Sequence, residues 1–337
     1  MSTTSIRLSL AIVASLAFVQ GCVAPAVDST ADEDIGEAEQ AVIPSGGTLT
    51  MLDHRKVCSL FGSGQNGDYE ASGVQVVGSD LYVIFDNKNQ VGKIPFTMNA
   101  SPNNWLSNNT ATYTPGTLQG TQWEAITYDS NNTTHFYTMQ EVLPPVVAQL
   151  DGSGSAQNES YTTLSGMGSF GSSNHYFEGL AWLRQNNNDY LLALCQNGGC
   201  GGANSTAPAT LRVLAQSGST WDWTNQQTIT LAQPGTSTGP FASYNDVALR
   251  FISGTSYKIA IVSADSSKLW IGALDASTWT LSTGNIYSFP TGTYPNMEGV
   301  TFLSDTQIAM VSDSGNTAGT SCQDGTNDES VFIFSVP

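Results

Sequence analysis

The sequence predicts an all-β fold, a five-bladed β-propeller formed by one large domain. Four short segments resemble one another and a weaker fifth precedes them, and the shared positions, called the ring positions below, are Ser72, Glu124, Glu178, Asn245 and Glu298. Their spacings are 52, 54, 67 and 53 residues, and a period near fifty is typical of repeat folds. No segment shows a convincing apolar period of 3.6 residues, so helix should be rare.

Each ring position opens a first strand, and two further apolar strands follow it after polar turns. The predicted second strands are 81–85, 135–139, 190–194, 258–262 and 307–311. The predicted third strands are 91–96, 146–150, 211–215, 269–274 and 331–336. A fourth strand is visible in most repeats, for example 228–231 and 278–281. Four strands repeated five times at this period indicate a propeller.

The two ends of the chain are predicted to close the ring. The last repeat stops at its third strand, and the strand-like segment 48–60 precedes the first repeat. This segment can supply the missing outer strand of the last blade and remove an open sheet edge. The alternative is a six-bladed ring with a hidden repeat in the longer interval between Glu178 and Asn245. Because 195–209 is rich in Gly, Ser and Asn, we interpret the extra length as an insertion.

The N-terminal segment predicts export. Residues 1–22 have a basic start, a short apolar run and a small residue before Cys22, as a secretory signal does. Val19-Gln20-Gly21-Cys22 also resembles a bacterial lipobox, although Gln20 is atypical there. Residues 23–45 form an acidic linker without aromatic residues, and 46–337 form the propeller domain. We expect an outer-membrane or cell-surface lipoprotein or, alternatively, a secreted protein.

The excess of acidic over basic residues indicates which partners to expect. The chain has 10 Lys and Arg against 28 Asp and Glu, for a net charge of −18. Nucleic acid and anionic membrane surfaces recruit basic residues, so neither is an expected partner. Membrane contact is expected only through a lipid on Cys22, and the protein is expected to be a monomer. A divalent cation is a natural partner for so acidic a chain.

The cysteines suggest disulfides. Apart from Cys22, four cysteines remain, and an even number in an oxidising compartment favours pairing. Cys195 and Cys200 could close a tight loop, and Cys58 with Cys322 would staple the two ends of the domain. Zinc is the alternative for four cysteines, but neither pair has the usual two-residue gap.

The ring positions predict a central calcium site. In a propeller the first strand of each blade runs along the central channel, so five oxygen-bearing side chains would face one axis. Three glutamates placed together would repel one another unless a cation lay between them. Calcium takes six to eight oxygen ligands, and the lack of His or Cys argues against zinc or copper. The alternative is that these side chains cap turns by bonding to backbone amides.

Two kinds of propeller resemble this chain. The Glu-Gly-(Ile/Val/Leu)-(Ala/Thr) openings, followed by a strand that ends in Ser-Asp, resemble the SdiA-regulated and phytase-like (esterase-like) propellers, most of all over 297–313. The five-blade plan and the ring order resemble the calcium-activated nucleotidases (apyrases). That resemblance implies calcium ligands at Ser72, Glu124, Glu178 and Glu298, with Asn245 standing where the apyrases have Ser.

The resemblance to apyrases stops short of their substrate site. The stretch 83–94 is similar to the strand and turn of their first blade, with Asp86 in place. The paired arginines that hold nucleotide phosphates have no counterpart, because 312–315 (Ser-Asp-Ser-Gly) occupies that region. Nucleotide hydrolysis is therefore not the expected activity.

The residues leave several functions open. The expected one is a binding or scaffold module with a structural calcium, whose ligand could be a small molecule, a carbohydrate or a protein. The alternatives are a calcium-dependent hydrolase acting on phosphoesters or esters at the hub and a carbohydrate-binding or carbohydrate-cleaving propeller that uses aromatic residues at a rim. The weak catalytic candidates are His175 and Asp86, and the chain has no Gly-x-Ser-x-Gly elbow and no phosphate loop with a lysine.

The ends of the second strands form a further set of polar positions. They are Asp86, Glu141, Gln196, Asp265 and Asp313. They could lie on the rim opposite the ring positions or, after the loop, on the same rim, and they could line a pocket or cap turns.

Overall fold

The structure is a computed structural model, and its description covers most of the domain. The described residues are 45–61, 69–101, 104, 122–131, 135–141, 145–151, 160–163, 177–196, 209–218, 220–222, 228–231, 240–241, 243–282, 284–290, 294, 296–313 and 329–337. Among them no helix is both long and apolar enough to cross a membrane. The predicted signal and the predicted acidic linker lie outside these residues, apart from the last linker residue, Ser45, which begins the first strand.

The described elements are almost all strands. In chain order they are β1 (Ser45–Thr48), β2 (Thr50–Lys56), α1 (Val57–Phe61), β3 (Ala71–Val77), β4 (Asp80–Phe85), β5 (Lys88–Pro95), β6 (Trp123–Tyr128), β7 (His135–Gln140), β8 (Val146–Asp151), β9 (Ser160–Thr163), β10 (Phe177–Gln185), β11 (Asn188–Cys195), β12 (Ala209–Ser217), β13 (Thr220–Asp222), β14 (Thr228–Leu231), β15 (Asp246–Ser253), β16 (Ser256–Ser263), β17 (Lys268–Asp275), β18 (Thr280–Leu281), β19 (Asn285–Ser288), β20 (Asn296–Phe302), β21 (Gln307–Asp313) and β22 (Ser330–Ser335).

The strands form five sheets, which are the five blades. Blade one is β3-β4-β5, blade two is β6-β7-β8-β9, and blade three is β10-β11-β12 with β13 and β14 both paired to β12. Blade four is β15-β16-β17-β19 with β18 beside β17, and blade five is β20-β21-β22. The first strands of successive blades contact one another in a closed ring, β3 to β6 to β10 to β15 to β20 and back to β3. The predicted five-bladed propeller is confirmed.

In the part of the chain that the structure describes, the extra length in the third repeat makes no sixth blade. Within the described residues it contributes β13, which pairs with β12 through Ala215, Gln216 and Ser217. The rest of the added length falls outside the described residues. A sixth blade would require a further sheet, and the described strands between β10 and β15 all belong to blade three.

The N-terminal segment closes the ring as predicted. β2 pairs antiparallel with β22, from Thr50 opposite Ser335 to Lys56 opposite Ser330. The predicted strand was too long, because residues from Val57 onward form α1, in which Val57, Cys58, Leu60 and Phe61 are buried. β1 was not predicted, and it adds in parallel to β19 on the outer side of blade four. The segment therefore joins two blades rather than one.

A separate apolar core fills the space between each pair of neighbouring blades. Alternate residues along a strand point to opposite faces of its sheet. In β4, for example, Leu81, Val83 and Phe85 pack toward blade five, whereas Tyr82 and Ile84 pack toward blade two. This two-sided burial explains why the second strands read as continuous apolar runs.

Candidate functional site

The backbone at the ring positions is irregular in the same way in four blades. The pairing of first and second strands shifts register between Ala71 and Gly73, Trp123 and Ala125, Phe177 and Gly179, and Met297 and Gly299. The residue inside each shift is a ring position, so each of these side chains sits in a β-bulge. A bulge bends the strand and re-aims its side chain. In blade four, Asn245 lies just before β15 and donates its backbone N–H to the Val262 carbonyl at 3.0 Å.

The glycine after the ring position has a packing role. A Cβ on Gly179 would lie 2.8 Å from the Val247 nitrogen and 2.9 Å from the Asp246 Cα. A Cβ on Gly299 would lie 2.9 Å from the Gly73 Cα. These distances are to backbone atoms of the neighbouring first strand, so glycine lets adjacent blades approach closely beside the channel. The Glu-Gly pair in the repeat thus joins a polar ring residue to a close blade contact.

All five ring positions line one cavity of about 270 Å³, called the hub cavity below. Its lining among the described residues is Glu70, Ala71, Ser72, Asp86, Glu124, Glu141, Glu178, Gln196, Asn245, Glu298 and Asp313. Four of the five polar residues at the second-strand ends are included, and Asp265 is not. An antiparallel second strand ends beside the start of the first strand, which is why the two sets meet. Glu70, two residues before the first ring position, was not anticipated from the sequence.

The hub cavity is strongly acidic. Seven of its lining residues carry carboxyl groups, namely Glu70, Asp86, Glu124, Glu141, Glu178, Glu298 and Asp313, and none of the described lining residues is Lys, Arg or His. Burying like charges together raises the cost of ionising each one. This cavity therefore favours either protonated carboxyl groups or a bound cation.

The pKa values of the ring glutamates reflect this crowding. Burial is the main cause that raises the pKa of Glu124 and Glu178 well above the usual value, and neighbouring carboxylates raise it further. A mutual side-chain hydrogen bond lowers the pKa of Glu124 and raises that of Glu178. Burial raises the pKa of Glu298 to about 7, against the opposing hydrogen bond from Asn245. The pKa of Asp86 is raised by burial and then by Asp313.

Asn245 and Ser72 have defined hydrogen bonds within the ring. Asn245 Nδ2 donates to Glu298 Oε2 at 2.6 Å, and Asn245 Oδ1 accepts the Ala264 backbone N–H at 2.8 Å. Only this amide orientation satisfies both contacts, because the opposite one would set two donors against each other. Ser72 Oγ donates to the Trp123 carbonyl at 2.7 Å and so links blades one and two.

The present side-chain arrangement is not that of a formed metal site. Within the described ranges, no group of three or more His, Cys, Asp or Glu residues is arranged to hold a metal ion. Glu298 Oε2, for example, accepts a hydrogen bond from Asn245 Nδ2. The donor chemistry still fits a hard cation, because every polar group that the ring offers as a ligand is an oxygen.

Asp246 is a buried acidic residue that sequence reasoning missed. It is 2% exposed, and its carboxylate accepts the backbone N–H groups of Val247 and Val300, each at 2.8 Å. A third backbone hydrogen bond comes from Leu180. Burial raises its pKa well above the usual value, and these three bonds oppose that rise. One side chain thereby ties together blades three, four and five, at the place where other repeats have Gly or Ala.

The remaining sequence candidates are only partly described. Asp86 lies in the hub cavity, whereas His175 lies outside the described residues. Cys58 and Cys195 are both disulfide-bonded. Their predicted partners, Cys322 and Cys200, lie outside the described residues, so the two pairings stay predictions.

Comparison with known proteins shows likeness of fold only. No protein-family model matches the chain, and no curated protein sequence matches it. Among solved structures, the glutaminyl cyclase of Myxococcus xanthus matches with 10% identity and a TM-score of 0.48, over 87% of this chain and all of that chain. The PQQ-bound aldose sugar dehydrogenase of Streptomyces coelicolor matches with 10% identity and a TM-score of 0.43, over 85% and 98%. The hydrazine synthase of Kuenenia stuttgartiensis matches with 11% identity and a TM-score of 0.41, over 72% of this chain and 56% of that chain.

These likenesses carry no argument about activity. At 10 to 11% identity, and with TM-scores below 0.5, they add nothing to what the sheets of this chain already show. Propellers of one architecture perform unrelated functions, so function has to be argued from the site. The resemblance to esterase-like propellers and apyrases stays a prediction.

Proposed function

We propose that this protein is an exported five-bladed propeller that binds one calcium ion in the hub cavity and serves as a binding or scaffold module. The observation that carries the proposal is the convergence of seven carboxyl groups in one cavity whose described lining has no cationic side chain. Without a cation, several of these groups must be protonated or repel one another. A divalent ion relieves that cost and links all five blades at their common axis.

The ring residues divide into ligands and a positioning residue. Glu124, Glu178, Glu298 and Ser72 would hold the ion, since each offers an oxygen to the cavity. Asn245 was predicted as a ligand; in the structure its Oδ1 accepts the Ala264 N–H and its Nδ2 donates a hydrogen bond to Glu298 Oε2. We therefore propose that Asn245 orients Glu298. Calcium is favoured over magnesium because it accepts a larger and less regular set of oxygens.

Calcium titration of the chelator-treated exported protein tests the site. Isothermal titration should give one calcium per chain, and saturating calcium should raise the melting temperature, because binding to the folded state alone adds about 2.7 kcal/mol at a hundredfold excess over Kd. Glu178→Gln keeps the size of the side chain and should abolish both effects. The matched control is Asp305→Asn, which removes one carboxylate that is 80% exposed. Asp305 lies in the turn between β20 and β21, at the end of β20 opposite to Glu298. Wild type that neither binds calcium nor gains stability would overturn the proposal.

A calcium-dependent hydrolase is the second candidate, and one residue favours it. Asp86 lies in the hub cavity without being a ring position, and its pKa is raised by burial and by Asp313. A carboxylate with a raised pKa beside a metal site can act as a general base. In that case Asp86→Asn should remove calcium-dependent turnover of p-nitrophenyl phosphate or p-nitrophenyl acetate and leave calcium binding intact. Lack of turnover by the calcium-loaded wild type would leave the binding function as the better account.

A further inference from the structure

A second cavity lies at the other end of the first strands. It has a volume of about 310 Å³ and is called the far cavity below. Its lining is Gln75, Val76, Val77, Gly78, Thr127, Tyr128, Ser130, Ala181, Trp182, Val247, Ala248, Leu249, Phe251 and Tyr257. Most of these residues follow the ring positions on β3, β6, β10 and β15, so they surround the opposite end of the channel from the carboxyl groups. The volume is at the lower end of the range for ligand sites, roughly 300–1,000 Å³.

The chemistry of the far cavity contrasts with that of the hub cavity. None of its described lining residues is charged. Four are aromatic, namely Tyr128, Trp182, Phe251 and Tyr257, and three others carry an amide or a hydroxyl group, namely Gln75, Thr127 and Ser130. Such a lining offers flat apolar faces together with a few hydrogen-bonding groups.

Contacts between blades hold the walls in place. Thr127 Oγ1 accepts the Trp182 backbone N–H at 2.8 Å, which links blades two and three. The Tyr257 hydroxyl donates to the Arg184 carbonyl at 2.8 Å, which links blades four and three. Phe251 packs edge-on against Tyr257 with ring centroids 5.6 Å apart. The aromatic groups are thus positioned before any ligand arrives, which lowers the entropic cost of binding.

Two aromatic residues of the far cavity offer groups to a ligand: Phe251 offers its ring and Trp182 offers its indole N–H. Phe251 is 61% exposed although it lines the cavity, which places it where the cavity opens to solvent. The indole N–H of Trp182 is buried and has no hydrogen-bond partner among the described residues. A buried donor without a partner costs about 1–3 kcal/mol. A buried donor of this kind calls for an explanation, and a ligand that accepts its hydrogen bond would supply one.

We propose that the far cavity binds an uncharged sugar residue of a glycan. A pyranose ring has a C–H face that packs on aromatic rings and a rim of hydroxyl groups that pair with amides and hydroxyls, which is the combination this lining provides. An anionic ligand would find no cationic side chain among the described lining residues, and a purely apolar ligand would cover the Ser130 hydroxyl and the remaining hydrogen-bonding capacity of Gln75 and Thr127 without replacing their water contacts. The inference rests on the binding-module part of the proposed function and is independent of the calcium site.

Glycan binding by the exported protein, kept in calcium, tests the inference. The protein is screened against an array of neutral oligosaccharides, and hits are titrated by tryptophan fluorescence beside trigalacturonate as the anionic probe and phenol as the apolar probe. Phe251→Ala should weaken neutral-glycan binding about tenfold, equivalent to about 1.4 kcal/mol. Trp182→Phe retains a ring but removes the indole N–H, and it should reduce both affinity and the fluorescence change.

The matched control is the next residue along β15. Ile252 is 56% exposed and does not line the far cavity, so Ile252→Ala should change affinity less than about twofold. The proposal is overturned if no neutral glycan binds, if trigalacturonate or phenol binds better than every neutral glycan, or if Phe251→Ala and Ile252→Ala have equal effects. Glu178→Gln separates the two proposals, because its loss of calcium binding can be measured alongside glycan binding in the same protein.

Discussion

Replacing Glu298 by Gln should stabilise the metal-free protein at alkaline pH and leave its stability unchanged at pH 4.5. Burial raises the pKa of Glu298 from 4.5 to about 7, so ionisation is less favourable in the folded state than in the unfolded chain. Below pH 4.5 both states are protonated, and no penalty exists. Between 4.5 and about 7 the folded state binds more protons, so stability falls as pH rises. Above pH 7 the whole penalty is present.

The size of this effect follows from the difference between the two pKa values. At about 1.4 kcal/mol per pKa unit, a rise from 4.5 to about 7 corresponds to roughly 3 kcal/mol. Because Glu298 is only partly buried, solvent screening reduces the expected gain to about 2 kcal/mol. Glutamine keeps an oxygen that can accept the hydrogen bond from Asn245 Nδ2, so little of that contact is lost. A gain of this size should raise the melting temperature by about 4 °C.

Urea unfolding of chelator-treated wild type and Glu298→Gln at pH 4.5 and pH 8 measures the difference. Asp305→Asn serves as the control and should change stability little at either pH, since an exposed ion pair contributes little. The reasoning is refuted if Glu298→Gln destabilises the protein equally at both pH values, since that would mean that the side chain contributes through packing rather than charge. Addition of calcium at pH 8 should reverse the ranking, because the wild type then gains a ligand that the variant lacks.

Three further predictions concern the blade contacts and the ring closure. Asp246→Asn should destabilise the fold by about 2–3 kcal/mol in urea unfolding, because it sets an amino group against a backbone N–H that the carboxylate now accepts; unchanged stability would contradict the proposed link between blades. Gly179→Ala should cost about 1–3 kcal/mol, because its Cβ would come within 2.8 Å of a backbone nitrogen in the next blade, and a melting temperature equal to wild type would show that the blades can separate. Peptide mapping without reduction should find Cys58 joined to Cys322, and Cys322→Ser should then cost about 2–5 kcal/mol; a different pairing would disprove the staple.

Much of the architecture was predictable because blades repeat. The ring positions, the second and third strands and the closing strand β2 all follow from periodic apolar runs. Such runs arise because side chains along a strand alternate between the two faces of its sheet. The end of β2 was placed too late, because 57–61 is as apolar as a strand and becomes α1. The parallel addition of β1 to β19 left no pattern in a four-residue segment, since the pairing depends on a partner some 240 residues away.

The candidate site was predictable in its ring but not in its details. Five residues at one repeat phase pointed to a common axis, and all five line one cavity. The direction of the Asn245 amide was not predictable, because it is set by the Ala264 N–H from the following turn. Asp246 left one signal, an acidic residue where other repeats have Gly or Ala, but its three partners come from three blades.

The sequence by itself determined the fold class, the number of blades and which side chains share the axis, because each depends on spacing along the chain. Only the tertiary structure decided which carboxyl groups share a cavity, which glycines are required and where an uncharged aromatic cavity forms. These features depend on atoms from different blades meeting within a few ångströms, as at Gly179 against the backbone of β15. Periodicity records the face on which a side chain lies, whereas packing between blades determines what that side chain contacts.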